Sequence, residues 1–284
     1  MAIKKKILIT GCNGFVGHEL CKHLKKKYDI YGVDLHKSKQ CGIKHFSVVD
    51  LRDNKRVKDF CGDFKKGQSL NSLINLSARM MSTDRIEDIS ILHDNIRIAE
   101  NVALLADSLR PAKVINFSSM AVYPMKSGIY KEASQIRPSL NSDCIYGLSK
   151  FCVENILSFM LRDTGVKVSN LRIAQVYGEG MRNDRIIPVM LDELEKKNMI
   201  TVFGNGERVS NFIHVDRLVR IVEKFLEKDL EGIFNVGDEQ LSYFELAGRL
   251  IREKGNKDSR ILKKAAGSKE RFYLDTTKVK EIFA

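Results

Sequence analysis

A short apolar strand, a glycine loop and a helix follow one another near the start of this chain, and this order constrains the fold more than any other feature. The run Ile7-Leu8-Ile9-Thr10 predicts a buried parallel strand. The loop Gly11-Cys12-Asn13-Gly14-Phe15-Val16-Gly17 follows directly and leads into a helix. Gly11 permits a tight turn, and Gly17 allows the helix to pack closely on the strand. The order predicts an α/β fold with a doubly wound parallel sheet.

The same loop is suited to bind a pyrophosphate, because Gly14 lets the backbone approach phosphates at the N-terminus of the helix. Its spacing is GxxGxxG rather than GxGxxG, so a glycine-rich turn without a ligand is an alternative at this point. A second predicted strand, Ile30-Tyr31-Gly32-Val33, ends in Asp34. A carboxylate about twenty residues after such a loop can accept hydrogen bonds from ribose hydroxyls. We therefore predict a bound dinucleotide.

Asp34 also bears on which dinucleotide is bound. Its negative charge would repel a 2′-phosphate, so the predicted cofactor is NAD. The basic side chains of His36, Lys37 and Lys39 follow closely, and they keep NADP open as an alternative.

Strands and helices alternate through the first half of the chain, as in a doubly wound sheet. Further strands are predicted at Lys44–Val49, Ser69–Ser77 and Lys113–Ser118, and helices at about Ile89–Leu109 and Cys144–Arg162. The last helix is apolar around most of its girth. Part of it should therefore pack on a second helix or on a second subunit.

Tyr146 and Lys150 lie one turn apart on the last of these helices. An i,i+4 spacing places both side chains on one face, where the ammonium would lower the pKa of the phenol and make it a usable acid or base. Ser118 and Ser119 lie at the carboxyl end of the fifth predicted strand, and ligands of open α/β sheets bind at such ends. Taken singly, such a pair and such serines also occur on helices and turns without any catalytic role.

Charge and cysteine content exclude other classes of protein. The net charge is +12, but the lysines are scattered, which favours a solvated basic surface or an anionic ligand over nucleic acid. The six cysteines form no CxxC pair, so we expect reduced packing residues and no metal site. Neither a signal peptide nor a membrane span is indicated, and we expect a cytoplasmic protein without a membrane partner.

Motifs along nearly the whole sequence give the chain a family likeness. Besides the glycine loop and Asp34, they are Asp50-Leu51, Asn75-Leu76-Ser77-Ala78, Asn95, Phe117-Ser118-Ser119, Tyr146 to Lys150, Leu171-Arg172, Val176-Tyr177-Gly178, Val202 to Gly206, Phe212 to Asp216 and Phe234 to Gly237. In this order they resemble the extended short-chain dehydrogenase/reductase family, which comprises nucleotide-sugar epimerases, dehydratases and reductases.

The resemblance implies roles for individual residues. Ser119, Tyr146 and Lys150 would be catalytic, with Tyr146 transferring the proton. Besides Tyr146 and Lys150, the implied NAD-binding residues are Gly11, Asn13, Gly14, Phe15, Val16, Gly17, Asp34, Asp50, Leu51, Leu76, Ser77, Ala78 and Asn95. The substrate-binding residues would be Ser119, Gln175, Arg208 and Arg271, although Arg271 could equally be a solvated surface residue. Residues 1–172 would form the Rossmann domain, and residues 173–284 a smaller C-terminal substrate-binding lobe, with segments that return to the sheet.

The chain departs from the family pattern at three places. Ser210-Asn211 replaces a frequent Arg-Asp pair, a loss for which Arg208 could compensate. Gln175 stands where an Asn often holds the substrate phosphate. Met120-Ala121 replaces the Asp-Glu pair of the 4,6-dehydratases, and because the elimination of water needs those acids, a dehydratase is disfavoured.

The resemblance thus predicts an NAD-dependent nucleotide-sugar epimerase, with a ketosugar reductase or dehydrogenase as the alternative. Asp34 favours the epimerase, since biosynthetic reductases more often use NADPH, whereas Tyr123-Pro124 resembles some reductases. A silent dinucleotide-binding protein is disfavoured, because Tyr146 and Lys150 are both retained. The apolar helices near Ile98 and Phe151 would suit a four-helix bundle between two subunits, and hence a homodimer.

Overall fold

A parallel sheet of seven strands forms the centre of the molecule. The computed structural model describes residues 4–37, 42–64, 69–81 and 88–283. The strands are β1 Lys6–Thr10, β2 Asp29–Asp34, β3 His45–Val48, β4 Ser72–Asn75, β5 Lys113–Ser119, β6 Gly128–Tyr130, β7 Lys167–Ile173, β8 Gln175–Tyr177, β9 Met199–Phe203, β10 Val209–His214, β11 Gly232–Val236, β12 Glu239–Ser242, β13 Arg260–Lys264 and β14 Phe272–Leu274.

Helices cover both faces of this sheet. They are α1 Phe15–Leu24, α2 Asn54–Phe64, α3 Ser90–Leu109, α4 Cys144–Leu161, α5 Ile186–Lys197, α6 Val215–Glu227, α7 Tyr243–Lys254 and α8 Thr277–Phe283. On one face α1 packs against α6, and on the other α3 packs against α2 and α4. Each face has its own apolar core, as expected for a sheet covered on both sides.

The strand order β11-β7-β5-β4-β1-β2-β3 confirms the predicted doubly wound α/β fold. From β1 the chain proceeds outward through β2 and β3, and it then crosses to β4 on the other side of β1. A crevice therefore opens between the carboxyl ends of β1 and β4. The fourth strand is shorter than predicted, since the chain beyond Asn75 leaves the sheet and lines this crevice.

A smaller lobe lies on the C-terminal side of Ile173. It contains the sheet β12-β10-β8 and the strand pair β13-β9, and these pack with α5 and α7 around a separate apolar core. Within the same half of the chain, β11 extends the main sheet beside β7, and α6 packs on α1. The C-terminal half thus contributes to both parts, and the proposed boundary at residues 172 and 173 stays a prediction.

The apolar side chains of α4 fall into two groups in the structure, one buried and one exposed. Val153, Leu157 and Leu161 are buried against α3 and the sheet, so the predicted packing on a second helix is confirmed. Phe159 and Met160 are 64% and 48% exposed on the same helix. By length and composition alone α4 could cross a membrane, but its buried residues are those that pack in this core.

Candidate active site

One cavity of about 940 Å³ extends along the carboxyl ends of the central strands and between the two parts of the chain. Most of the residues predicted for the site line it. They are Gly11, Gly14, Phe15, Val16, Gly17, Asp34, Asp50, Leu51, Leu76, Ser77, Ala78, Ser119, Tyr146, Lys150, Gln175 and Arg208. The cavity therefore joins the predicted cofactor-binding and catalytic residues in a single space.

The glycine loop brings α1 close to β1 and leaves the start of the helix open. Gly11 has φ +70, and a Cβ on Gly17 would lie only 2.2 Å from the Gly11 carbonyl oxygen. Gly14 is the N-cap of α1 and provides no capping side chain, and the first helical turn holds no acidic residue. The free backbone N–H groups can bind phosphate oxygens, so this cradle fits the pyrophosphate of NAD.

Asp34 lies at the carboxyl end of β2, beside this loop. Its carboxylate accepts hydrogen bonds from the backbone N–H groups of Asn13 and Leu35, at 2.9 and 2.7 Å. The Asn13 side chain donates to the carbonyl of His36, so Asn13 connects the loop to β2 rather than lining the cavity. These bonds fix the carboxylate where a ribose could bind. Lys39, which kept NADP open, lies outside the described residues.

Asp50 is on the cavity wall but already has a cationic partner. Arg52 donates to both carboxylate oxygens, at 2.9 and 2.8 Å, and holds the pKa of Asp50 below its usual range. Asn95 lies behind the wall. Its buried amide accepts a hydrogen bond from the Arg79 backbone at 2.7 Å and donates to the Ser149 hydroxyl at 2.9 Å. Asn95 thus connects the cavity wall at Arg79 to α4.

Tyr146 and Lys150 share one face of α4, as predicted, and both line the cavity. The Lys150 Nζ atom lies 5.7 Å from the centre of the Tyr146 ring and donates a hydrogen bond to the Phe117 carbonyl at 2.6 Å. Burial lowers the pKa of Lys150 to about 8, although the charge of Glu154 opposes this shift.

The expected lowering of the Tyr146 pKa is wrong for the protein by itself. Burial raises this pKa above its ordinary value; the charge of Asp143 adds to the shift, and that of Arg185 opposes it. The physical reason is that α4 buries the phenol and the ammonium together. Desolvation disfavours the charged form of both groups, so it raises the pKa of the phenol and lowers that of the ammonium.

The two serines at the end of β5 face different surroundings. Ser119 lines the cavity, and its hydroxyl accepts a hydrogen bond from the Ala121 backbone at 3.1 Å. Ser118 also lines the cavity, but it is buried and its hydroxyl donates to Glu154. The turn after β5 lies directly against α4, since a Cβ on Gly147 would be 2.1 Å from the Ala121 carbonyl oxygen. This close approach holds α4 beside Ser119.

The predicted substrate residues are placed differently from one another. Gln175 lines the cavity and donates to the Ser210 hydroxyl at 2.8 Å. Arg208 also lines it, with its guanidinium 5.2 Å from the centre of the Tyr243 ring. Arg271 does not reach the cavity: its side chain is 58% exposed and lies 3.7 Å from Glu207. A surface role for Arg271, the alternative allowed by the sequence, agrees with this placement.

Several cavity residues were not identified from the sequence. They are Arg79, Met80, Met81, Asp143, Arg182, Asp184 and Arg185. Most belong to segments between regular elements, where no periodic pattern marks them. Arg79 is paired with Asp88 and Asp94 at 2.7 and 3.0 Å. Asp143 is the N-cap of α4 but makes no capping hydrogen bond, and burial raises its pKa.

A buried polar network supports the site from behind. Arg172 donates to both carboxylate oxygens of Glu154, at 3.0 and 2.8 Å, and both residues are almost completely buried. Arg172 also donates to the Tyr123 hydroxyl at 2.9 Å, which in turn donates to Asn235 at 2.8 Å. Tyr123 is therefore part of the core and not of the cavity wall. Over residues 4–37, 42–64, 69–81 and 88–283, no three acidic, His or Cys side chains are grouped to hold a metal.

A parallel sheet with an open glycine loop, an acidic end to β2 and a Tyr–Lys helix face defines a dinucleotide-binding α/β enzyme class. The chain belongs to the NAD dependent epimerase/dehydratase family, whose model matches residues 7–237. Family membership confirms the resemblance found in the sequence, and it confirms NAD as the cofactor of the family.

Relatives of known activity include both predicted reaction types. The chain is 27% identical over 269 residues to dTDP-4-dehydro-6-deoxy-D-allose reductase from Streptomyces sp, covering 87% of this chain and 80% of the relative. It is 25% identical over 261 residues to GDP-mannose 3,5-epimerase 1 from Oryza sativa subsp. indica, covering 86% and 67%. The fold is similar to UDP-N-acetylglucosamine 4-epimerase from Bacillus cereus, with TM-score 0.81, 23% identity and coverage of 98% and 90%.

Proposed function

We propose that this protein is an NAD-dependent nucleotide-sugar epimerase that transfers a hydride from a sugar carbon and returns it to the opposite face. The observation that carries the proposal is the single cavity that joins the open N-terminus of α1 and Asp34 to Ser119 and Tyr146. A nucleotide sugar and NAD are both anionic, and the net charge of +12 would favour the approach of either.

The residues of this chain have distinct tasks in such a reaction. Bound NAD supplies the hydride acceptor. Once the positive charge of the bound nicotinamide offsets the raised pKa of its phenol, Tyr146 would take the proton of the sugar hydroxyl as the hydride leaves, and return it in the reverse step. Ser119 hydrogen-bonds the same sugar oxygen, and Lys150 holds positive charge near the phenol. Gln175 and Arg208 line the part of the cavity proposed for the substrate.

A nucleotide-ketosugar reductase is the second candidate, and the reductase relative from Streptomyces favours it. In that reaction the cofactor would leave after one transfer. The Tyr123-Pro124 pair, which resembles some reductases, gives little support to this candidate, because Tyr123 is fully buried and bonded to Arg172. A dehydratase remains disfavoured, since Met120 and Ala121 put apolar and not acidic side chains beside Ser119.

We also propose a cytoplasmic homodimer. The exposed Phe159 and Met160 lie on α4, which packs beside α3. Pairing of these two helices with those of a second copy would form a four-helix bundle and cover the apolar side chains.

The test is to purify the protein and follow UDP-, GDP-, CDP- and dTDP-hexoses by NMR, with and without added NADH. The proposal expects an isomer to form without added reductant. Stoichiometric loss of NADH would instead establish the reductase. Tyr146→Phe serves as the control variant. In an enzyme it should lower the rate by orders of magnitude while NAD still binds. In a silent dinucleotide-binding protein the biological role should survive this change.

A further inference from the structure

Asp143 is an N-cap residue that does not cap its helix. Asp is favoured at this position because its carboxylate can accept a backbone N–H bond from the first turn, but here no such bond forms. No described residue donates a hydrogen bond to the carboxylate or forms an ion pair with it. Its backbone is fixed by the Asn141 side chain, which accepts a hydrogen bond from the Asp143 N–H at 2.9 Å. Asp143 lines the cavity, and the charges of Arg185 and Arg208 act on its carboxylate without forming an ion pair with it among the described residues.

Arg208 is the complementary group in the same cavity. Its Nε atom is buried and has no hydrogen-bond partner among the described residues. The guanidinium is held between the Tyr243 ring and the Met125 sulfur, which lies 3.7 Å from a terminal nitrogen. An unpaired buried donor is costly, so it indicates a group that a ligand would satisfy.

Both groups line the cavity that contains the proposed reaction centre. The Asp143 carbonyl accepts the N–H of Gly147 at 2.7 Å, so Asp143 and Tyr146 share the first turn of α4. Burial raises the pKa of Asp143, and the charges of Arg185 and Arg208 oppose this shift. Asp143, Tyr146 and Arg208 all line the same cavity, so one bound sugar could contact the three side chains.

Resting on the proposed function, we infer that Asp143 and Arg208 are specificity-determining residues that bind neighbouring hydroxyl groups of the sugar. A sugar hydroxyl can donate to the carboxylate of Asp143, and a second one can accept from Arg208. A sugar carboxylate at the first position would face the negative charge of Asp143 and leave it without a donor. The site therefore selects neutral hexoses with a free hydroxyl there, over deoxy sugars and uronic acids.

The test measures kcat/KM for the best nucleotide hexose and for its monodeoxy analogues, with the wild type and with Asp143→Ala and Asp143→Asn. At one ring position, the wild-type kcat/KM should be higher for the sugar with the hydroxyl than for its deoxy analogue, by on the order of 10- to 100-fold. Asp143→Ala should abolish this preference, so that its kcat/KM values for the hydroxylated and the deoxy substrate become equal. Asp143→Asn should restore part of it, because an amide oxygen still accepts. A merely structural residue would change the rates but not their ratio.

Other outcomes separate this inference from the proposed function. An unchanged hydroxyl preference in Asp143→Ala overturns the inference and leaves the epimerase intact. Deuterium uptake from D2O into a sugar C–H bond, lost in Asp143→Ala, would overturn it in favour of a carbon base. If the wild type turns over no nucleotide sugar, calorimetry measures its binding to each hexose and to the monodeoxy analogue. Tighter binding of the hexose that disappears in Asp143→Ala would support the inference although the proposed function has failed. Equal binding of the two ligands by the wild type would overturn the inference.

Discussion

The Nζ atom of Lys150 lies 5.7 Å from the centre of the Tyr146 ring, one turn further along the same helix face. Its hydrogen bond goes elsewhere, to the Phe117 carbonyl at the end of β5. Desolvation consequently dominates both groups, raising the pKa of Tyr146 and lowering that of Lys150 to about 8. The charge on Lys150 therefore changes close to neutral pH, which has a measurable effect on stability.

Lys150→Met should stabilise the protein more at pH 7 than at pH 9.5. Between pH 8 and pH 10.5 the unfolded chain holds a proton that folded Lys150 has lost, so wild-type stability rises with pH over this interval. The difference in unfolding free energy between variant and wild type should fall by about 2 kcal/mol from pH 7 to pH 9.5. Urea denaturation measures it, with Lys22→Met as the exposed control. A difference independent of pH would contradict the assignment.

Gly17→Ala should abolish NAD binding and destabilise the fold by more than about 2 kcal/mol, because its Cβ would lie 2.2 Å from the Gly11 carbonyl oxygen. Gly62→Ala is the matched control: it also lies within a helix, and nothing is within 4 Å of its Cβ. That variant should be more stable than wild type, by up to about 1 kcal/mol. Calorimetry measures NAD binding, and urea titrations measure the unfolding free energy. If Gly17→Ala and Gly62→Ala changed both quantities equally, this would argue against close packing at Gly17.

Arg172→Met should cost about 3 to 5 kcal/mol in unfolding free energy, because it leaves the carboxylate of Glu154 buried without its partner. The double variant Arg172→Met with Glu154→Met removes both charges and should lose less than the single variant. Denaturation in urea tests the pair. A loss below about 1 kcal/mol for Arg172→Met would mean that the ion pair is not buried as described.

Asp34→Ala should weaken NAD binding by about tenfold and reduce the preference for NAD over NADP, since it removes both a ribose acceptor and the repulsion of a 2′-phosphate. Calorimetric titration with the two dinucleotides measures the preference. Asp163→Ala, at a side chain that is 85% exposed, controls for the loss of one negative charge. An unchanged preference in Asp34→Ala would remove the argument for NAD that comes from this chain.

The parts that the sequence predicted are those governed by local rules. The strands up to β5 and the helices α3 and α4 follow from apolar runs and helical periodicity, and the glycine loop follows from contacts that only glycine permits. Each of these signals lies within about twenty consecutive residues, so no knowledge of distant contacts was needed.

The parts that escaped prediction depend on contacts between distant segments. The pairing of Arg172 with Glu154 and Tyr123 joins β7, α4 and the turn after β5, and nothing in the sequence marks an arginine as buried. Asp143 enters the cavity from an N-cap position, where the local rule would place it on its own helix. Arg271 shows the opposite case: its motif left both the cavity and the surface open, and its side chain lies at the surface beside Glu207.

The most direct test of the central claim uses a nucleotide hexose deuterated at the carbon that changes configuration. If Tyr146 moves the hydroxyl proton while the hydride passes to NAD and back, NMR of the epimer should show the deuterium retained at that carbon, with none exchanged for solvent hydrogen. Loss of the label to water during turnover would show that the carbon is deprotonated instead, and would contradict hydride transfer at this site.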